Sequence, residues 1–216
     1  MRKIYLDQAS TSYPKAPSVA QAVYDYLNGS GVNVNRGGYQ AAYSVEEQIF
    51  ETREQLLHLF HFTSGKGKNV IFTPNITTSL NILLKGLLKP GDHVLVSAME
   101  HNAVMRPLVQ LSQNGITFDR IPCRSDGSLL IEKAEELLRP ETRLLVCLHA
   151  SNVCGTMMPL QEISEFCQKH GLLFILDTAQ TAGVIPIDME ALHIDALAFT
   201  GHKSLRGPQG TGGFLL

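Results

Sequence analysis

The sequence predicts an α/β protein: a mostly parallel sheet with helices on both faces. Three observations predict it. Short apolar runs alternate along the chain with amphipathic stretches. The runs are apolar throughout rather than alternately polar, the pattern of strands covered on both faces. Gly and Pro mark the junctions, as in Lys89-Pro-Gly-Asp92 and Lys169-His-Gly171. Strand and helix in alternation place the strands side by side in parallel.

The elements follow in order. Val19–Leu27 and Val45–Phe60 are amphipathic stretches. Val70–Thr73 is the first strand. Thr77–Leu87 is an amphipathic helical stretch. Strand His93–Ser97 leads to helix Ala103–Asn114, and strand Phe118–Pro122 to helix Ile131–Leu138. Strand Leu144–His149 precedes helix Leu160–His170, and strands Leu172–Asp177 and Ala196–Thr200 complete the alternation. Gly207-Pro-Gln-Gly-Thr-Gly-Gly213 is turn-rich, and Phe214-Leu-Leu216 reads as the start of another strand. A domain rarely stops on an apolar edge strand. The expectation is therefore an amino-terminal portion of something longer, poorly soluble alone because an interior strand edge would be bare.

Composition narrows the function classes. The 216 residues can bury one substantial core. A net charge of −2 gives no basic field for nucleic acid. No apolar run nears the roughly 18 residues that span a bilayer, and Met1–Asp7 has no signal-peptide core. Cys123, Cys147, Cys154 and Cys167 show neither a Cys-x-x-Cys pair nor metal-ligand spacing. They point to a reducing, cytoplasmic setting without disulfides.

The chemistry-bearing residues sit where strands end. Strand Ala196–Thr200 runs into Gly201-His202-Lys203, and strand Leu172–Asp177 ends in an acid with Gln180 just beyond. In open α/β sheets the carboxyl edge is where ligands bind. A Lys with an Asp partner there suits pyridoxal 5'-phosphate (PLP): the Lys forms the Schiff base and the carboxylate holds the pyridinium nitrogen protonated. Thr73-Pro-Asn-Ile-Thr-Thr78 joins a strand to a helix starting near Thr77, a natural phosphate site. His101 follows the next strand; its ring could stack on a pyridine and move a proton. Asn152 and the Thr200/His202 pair could contact ring substituents, substrate carboxylate and phosphate. Each has a bland reading: a Thr cap, a loop His, a turn Asn, a solvated Lys. Chance alignment of Thr77, His101, Asn152, Asp177, Gln180 and Lys203 on one edge is much less probable than any single match.

Other features are weaker. His58 and His61 are helical neighbours without a third ligand, a surface pair rather than a metal site. Gly65-Lys-Gly-Lys68 lacks P-loop spacing and reads as a solvated loop. Cys154 lies near the proposed site and reads as a small buried residue rather than a nucleophile.

These stretches resemble the class V aminotransferase superfamily and, within it, the cysteine desulfurase and selenocysteine lyase family. The matching segments are Tyr5-Leu-Asp-Gln-Ala-Ser-Thr11, Phe72-Thr-Pro-Asn-Ile-Thr77, Met99-Glu-His-Asn102, His149-Ala-Ser-Asn-Val-Cys-Gly-Thr156, Asp177-Thr-Ala-Gln180 and Thr200-Gly-His-Lys203 with Gly207-Pro-Gln-Gly-Thr-Gly212, in family order. The resemblance implies a PLP-dependent transferase large domain, here incomplete: an amino-terminal segment 1–15, then a PLP-binding domain 16–216. It implies that Lys203 is the cofactor lysine and moves protons, that Asp177 pairs with the pyridine nitrogen and that His101 stacks on the ring. Gln180 would contact the ring oxygen and Asn152 the substrate side. Thr77, Thr200 and His202 would hold phosphate, with Ile76 beside them at the cofactor. The implied reaction takes L-cysteine to L-alanine with sulfur passed to an enzyme cysteine; selenocysteine, transamination or a non-catalytic PLP-binding remnant are the alternatives. A homodimer and a sulfur-acceptor protein are implied partners.

Several departures matter. The family has roughly 400 residues, so its small carboxyl-terminal domain, nucleophilic-cysteine loop, substrate-binding arginine and partner phosphate contact lie outside this sequence. Thr78 replaces the usual acidic residue, and Tyr39, in Asn33-Val-Asn-Arg-Gly-Gly-Tyr39, stands where many relatives have His.

Overall fold

The computed structural model describes residues 4–35 and 37–216. Residues 1–3 of the amino-terminal reading and Arg36 of the 33–39 stretch lie outside the described residues.

Among the described residues, seven strands form one sheet: β1 Val70–Thr73, β2 His93–Ser97, β3 Thr117–Ile121, β4 Thr142–Leu148, β5 Leu173–Asp177, β6 Ala196–Thr200 and β7 Gly212–Leu215. Their order is β1-β7-β6-β5-β4-β2-β3. β3, β2, β4, β5 and β6 pair in parallel, while β7 is antiparallel to both β6 and β1. β1 therefore runs with the parallel set, and six strands end on one edge.

Alternation across the pleat divides the core. Leu95, Leu145, Phe174, Leu176 and Leu197 face a layer holding Leu56, Leu57 and Phe60 from the end of α2 (Gln40–Leu59) and Ile163 and Phe166 of α5 (Leu160–His170). Val94, Val96, Leu144, Val146, Ile175 and Ala198 face α3 (Ile76–Leu87) and α4 (Asn102–Ser112). Helices thus cover both faces, as the sequence predicts. Burying each Leu or Phe stabilises by roughly 1.5–3 kcal/mol. A one-residue slip would send each such side chain to the opposite layer, so the register that aligns the strand ends is well specified.

Local chemistry sets the helix ends. Asn75 caps α3 by accepting the Thr78 N–H at 2.9 Å. Gly171 ends α5 in the left-handed region at φ 64°. The first helix, α1 (Pro17–Asp25), starts with Pro in its first turn, buries none of its residues and runs into a π turn, Tyr26–Ser30, that the helix reading Val19–Leu27 does not anticipate. Ile131–Leu137 is a 3₁₀ helix rather than an α-helix, with i→i+3 bonds such as Lys133 N–H to Leu130 O.

The expectation that the last strand lies at an edge is overturned: β7 is interior and paired on both sides, so it leaves no bare edge. Its first residues are glycines, which masked it as turn. A Cβ on Gly213 would lie 2.5 Å from the Ile71 carbonyl oxygen and 2.7 Å from the Phe199 ring, so β7 fits between its neighbours only without one.

Candidate active site

The shared strand edge gathers the polar residues. Ile76, Thr77, His101, Asn152, Asp177, Gln180, Thr200, His202 and Lys203 all line one recess of about 110 Å³. Ala150, Asn152, Gln180 and Lys203 also line an adjoining cleft of about 670 Å³, which Gln8, Tyr13, Met157, Val184 and Arg206 help to wall.

Asp177 is 4% exposed at the end of β5, and its Oδ1 accepts the Ala179 N–H at 2.8 Å. Burial pushes its carboxyl above the usual range, against the pull of that hydrogen bond and of His101 and Lys203. Lys203 is half-buried on the turn after β6. Burial lowers its amine and Asp177 opposes the shift, so the amine gives up its proton more readily than a surface lysine.

His101 is the N-cap of α4: its Nδ1 accepts the Ala103 N–H at 3.1 Å, which leaves Nε2 to carry a proton. His202 Nδ1 meets Thr11 Oγ1 at 3.1 Å, and burial, then Lys203 and Lys15, hold its imidazole below the usual value. Thr200 Oγ1 makes only a long 3.4 Å bond to Thr211 O. The Gln180 amide donates to Ala9 O at 3.0 Å.

α3 begins at Ile76, with Asn75 rather than Thr77 as its cap. The Thr77 hydroxyl is consequently not committed to capping. The N–H groups of a first helical turn lack intrahelical acceptors, and Ile76 and Thr77, the first two residues of α3, line the recess at the helix's positive end.

Three features escaped sequence reasoning. The amino-terminal segment is fastened to His202: its carbonyl accepts Ser12 N–H (2.9 Å), Thr11 Oγ1 (3.0 Å), Ser12 Oγ (3.1 Å) and Lys15 Nζ (2.9 Å). Glu100, the acid beside His101, turns inward and bonds Ser97 and Leu148; a carboxylate three residues past an apolar strand was its signal. Cys154, expected to be buried, is exposed in the turn after Ala150. Hydrogen bonding with Ser151 and Thr156 lowers its thiol to about 7.

The residues fit PLP by the chemistry of their donor set. Ile76 and Thr77 at the start of α3, the Thr77 and Thr200 hydroxyls and the His202 imidazole are groups that suit an anion, and all line the recess. The buried Asp177 carboxyl and Lys203, whose amine burial lowers, line the same recess.

The chain matches the family described as Aminotransferase class-V over residues 4–215, and it belongs to that family. A probable cysteine desulfurase of Halalkalibacterium halodurans is 33% identical over 214 residues, which are 97% of this chain and 52% of that protein. The cysteine desulfurase IscS of a Shewanella species is 32% identical over 215 residues, with the same coverages. The apo cysteine desulfurase of Thermococcus onnurineus superposes with a TM-score of 0.90 at 28% identity, over 99% of this chain and 53% of the other. The chain thus spans about half the length of the relatives it matches.

Proposed function

We propose that this chain is the cofactor-binding portion of a PLP-dependent enzyme of cysteine desulfurase type, with L-cysteine, or selenocysteine, as substrate. The observation that carries the reading is the meeting of Lys203 and Asp177 with the start of α3 in one recess. The names of the relatives and a structure of SspA in complex with cysteine, at TM-score 0.90 and 26% identity, support the substrate class.

Bound there, PLP would supply an electron sink for bonds at the substrate α-carbon. The α3 N–H groups with Thr77, Thr200 and His202 bind its phosphate. The Asp177 carboxylate orients the ring and keeps the proton on its nitrogen. His101, fixed by its cap bond, walls one side, and Gln180 approaches from the cleft. The Lys203 amine accepts and returns protons, which its lowered basicity favours. Asn152 faces the cleft where a small amino acid fits beside Met157 and Val184. Segment 1–15, domain 16–216, a homodimeric whole protein, a sulfur-acceptor partner and a cytoplasmic setting belong to the same reading. No helix among the described residues is long and apolar enough to cross a membrane.

The test is the visible spectrum of the chain titrated with PLP, beside Lys203→Ala. A new band, abolished by borohydride and absent from the variant, is expected. No band, or the same band in the variant, refutes the cofactor role of Lys203.

A further inference from the structure

Among the described residues, Glu100 alone leaves a buried carboxyl oxygen without a hydrogen-bond partner. It lies on the turn out of β2, directly before His101. Its Oε1 accepts twice, from Ser97 Oγ at 2.5 Å and from the Leu148 N–H at 2.8 Å. Its Oε2 is buried and bonds nothing.

The strand geometry explains the contact. β2 and β4 pair as far as Val96 and Val146. Beyond that β2 stays paired with β3 but no longer with β4, while β4 continues to Leu148, which lines the recess. The Leu148 N–H would then have no strand partner, and the Glu100 carboxyl takes the place of the missing carbonyl.

The charge state follows from what surrounds the group. Asp177 from the end of β5, Cys147 from β4 and Cys123 from beyond β3 face it, and none is a cation. His101 acts on Asp177. An ionised carboxylate with one bare oxygen would be a buried, uncompensated charge, which costs far more than an unpaired hydroxyl. Burial is the largest cause pushing Glu100 up to about 8; Asp177 adds to it, and the Ser97 and Leu148 bonds oppose it.

We infer that Glu100 is a positioning residue: as a neutral carboxylic acid it straps the His101 turn to the end of β4 and adds no charge beside Asp177. What the strap serves rests on the cofactor reading; the strap itself does not.

The experiment compares the wild-type chain with Glu100→Gln and Glu100→Ala, without cofactor. Carboxyl-carbon NMR of glutamate-labelled protein reads the titration, and amide hydrogen exchange reads Leu148 and Ala103. One glutamate signal, missing from the Gln variant, is expected to titrate above pH 7. The Gln variant keeps both amides within about threefold of wild type, whereas the Ala variant, which loses the acceptor, speeds both by about tenfold or more. A Glu100 signal titrating in the ordinary carboxylate range, or a Gln variant exchanging as fast as Ala, overturns the inference. Neither readout involves PLP. A wild-type chain that forms no Lys203-dependent band would sink the cofactor reading while these two readouts still decide the role of Glu100.

Discussion

Lys15→Met tests how the Lys203 turn is held. The His202 carbonyl, one bond from the Lys203 nitrogen, has four donors within 3.1 Å, and Lys15 Nζ is the charged one. A carbonyl oxygen has two lone pairs, so the four share it unequally and the ammonium takes the strongest bond. Hydrogen bonds to charged groups are worth about 1.5–3 kcal/mol. Lys15 is half-buried, so water screens part of this, and Thr11 and Ser12 remain to occupy the oxygen. Met keeps most of the apolar stem. The net loss is then about 1–2 kcal/mol, confined to the segment that joins Ser12 to His202 and Ala16 to Arg206. At 1.4 kcal/mol per factor of ten, the Ser12 and Ala16 amides should exchange roughly 5–30 times faster, with β4 and β5 amides unchanged. Unchanged exchange at Ser12 would refute the charged-clamp argument. An acceleration spread evenly over the sheet would mean that Lys15 supports the whole fold instead.

The other predictions concern separate groups. Cys154 should alkylate first with iodoacetamide, half-maximally near pH 7, while buried Cys147 and Cys167, both pushed up by burial, stay slow; peptide mass spectrometry distinguishes them. Gly213→Ala should cost about 1–3 kcal/mol through the clash with Ile71 and Phe199, lowering the thermal midpoint by about 2–4 °C per kcal/mol; an unchanged midpoint would show that β7 can shift. His93 is 1% exposed, with Nδ1 on Thr142 and Nε2 3.3 Å from Asp119, and its pKa is depressed, chiefly by burial and next by Arg139. The unfolded chain therefore binds the proton first as pH falls below 6.5, and stability drops in that window. Urea midpoints at pH 7 and pH 5 should differ less in His93→Gln than in wild type, and an equal difference would exclude His93 as a source.

What was legible in the sequence was local. Apolar runs that end abruptly in Asp177 or lead into His202-Lys203 announce both a buried strand and the residue at its mouth, and the parallel order places those mouths on one edge. What was not legible depends on residues far apart in the chain. The clamp joins Lys15 to His202 across 187 positions. Glu100 reaches Leu148 across 48, and nothing in Met99-Glu-His-Asn102 says that the Glu turns inward while the His caps a helix. β7 was hidden for another reason: close approach to Ile71 requires Gly213, and glycine in sequence signals turn. Thr77 and Asn75 are both good caps, and only the backbone decided between them.

Those non-local contacts resolve a conflict that the chemistry creates. On the proposed reading Lys203 needs an amine free to react, so its own side chain cannot be what fixes it. Among the described residues, no hydrogen bond or ion pair holds Lys203 Nζ, although its neighbours are tied on both sides. From one side the reversed strand β7 returns Thr211, whose carbonyl accepts the Gly201 N–H at 2.8 Å. Within the loop, Gly207 N–H bonds Gly201 O at 2.7 Å and Arg206 N–H bonds Lys203 O at 2.8 Å. From the other side Thr11, Ser12 and Lys15 load the His202 carbonyl. A single antiparallel strand in an otherwise parallel sheet is therefore more than a topological oddity: it carries the far end of the lysine loop back to the edge where β6 ends. With the backbone closed in this way, loosening either tie should blunt the reactivity of Lys203 before it lowers the stability of the sheet.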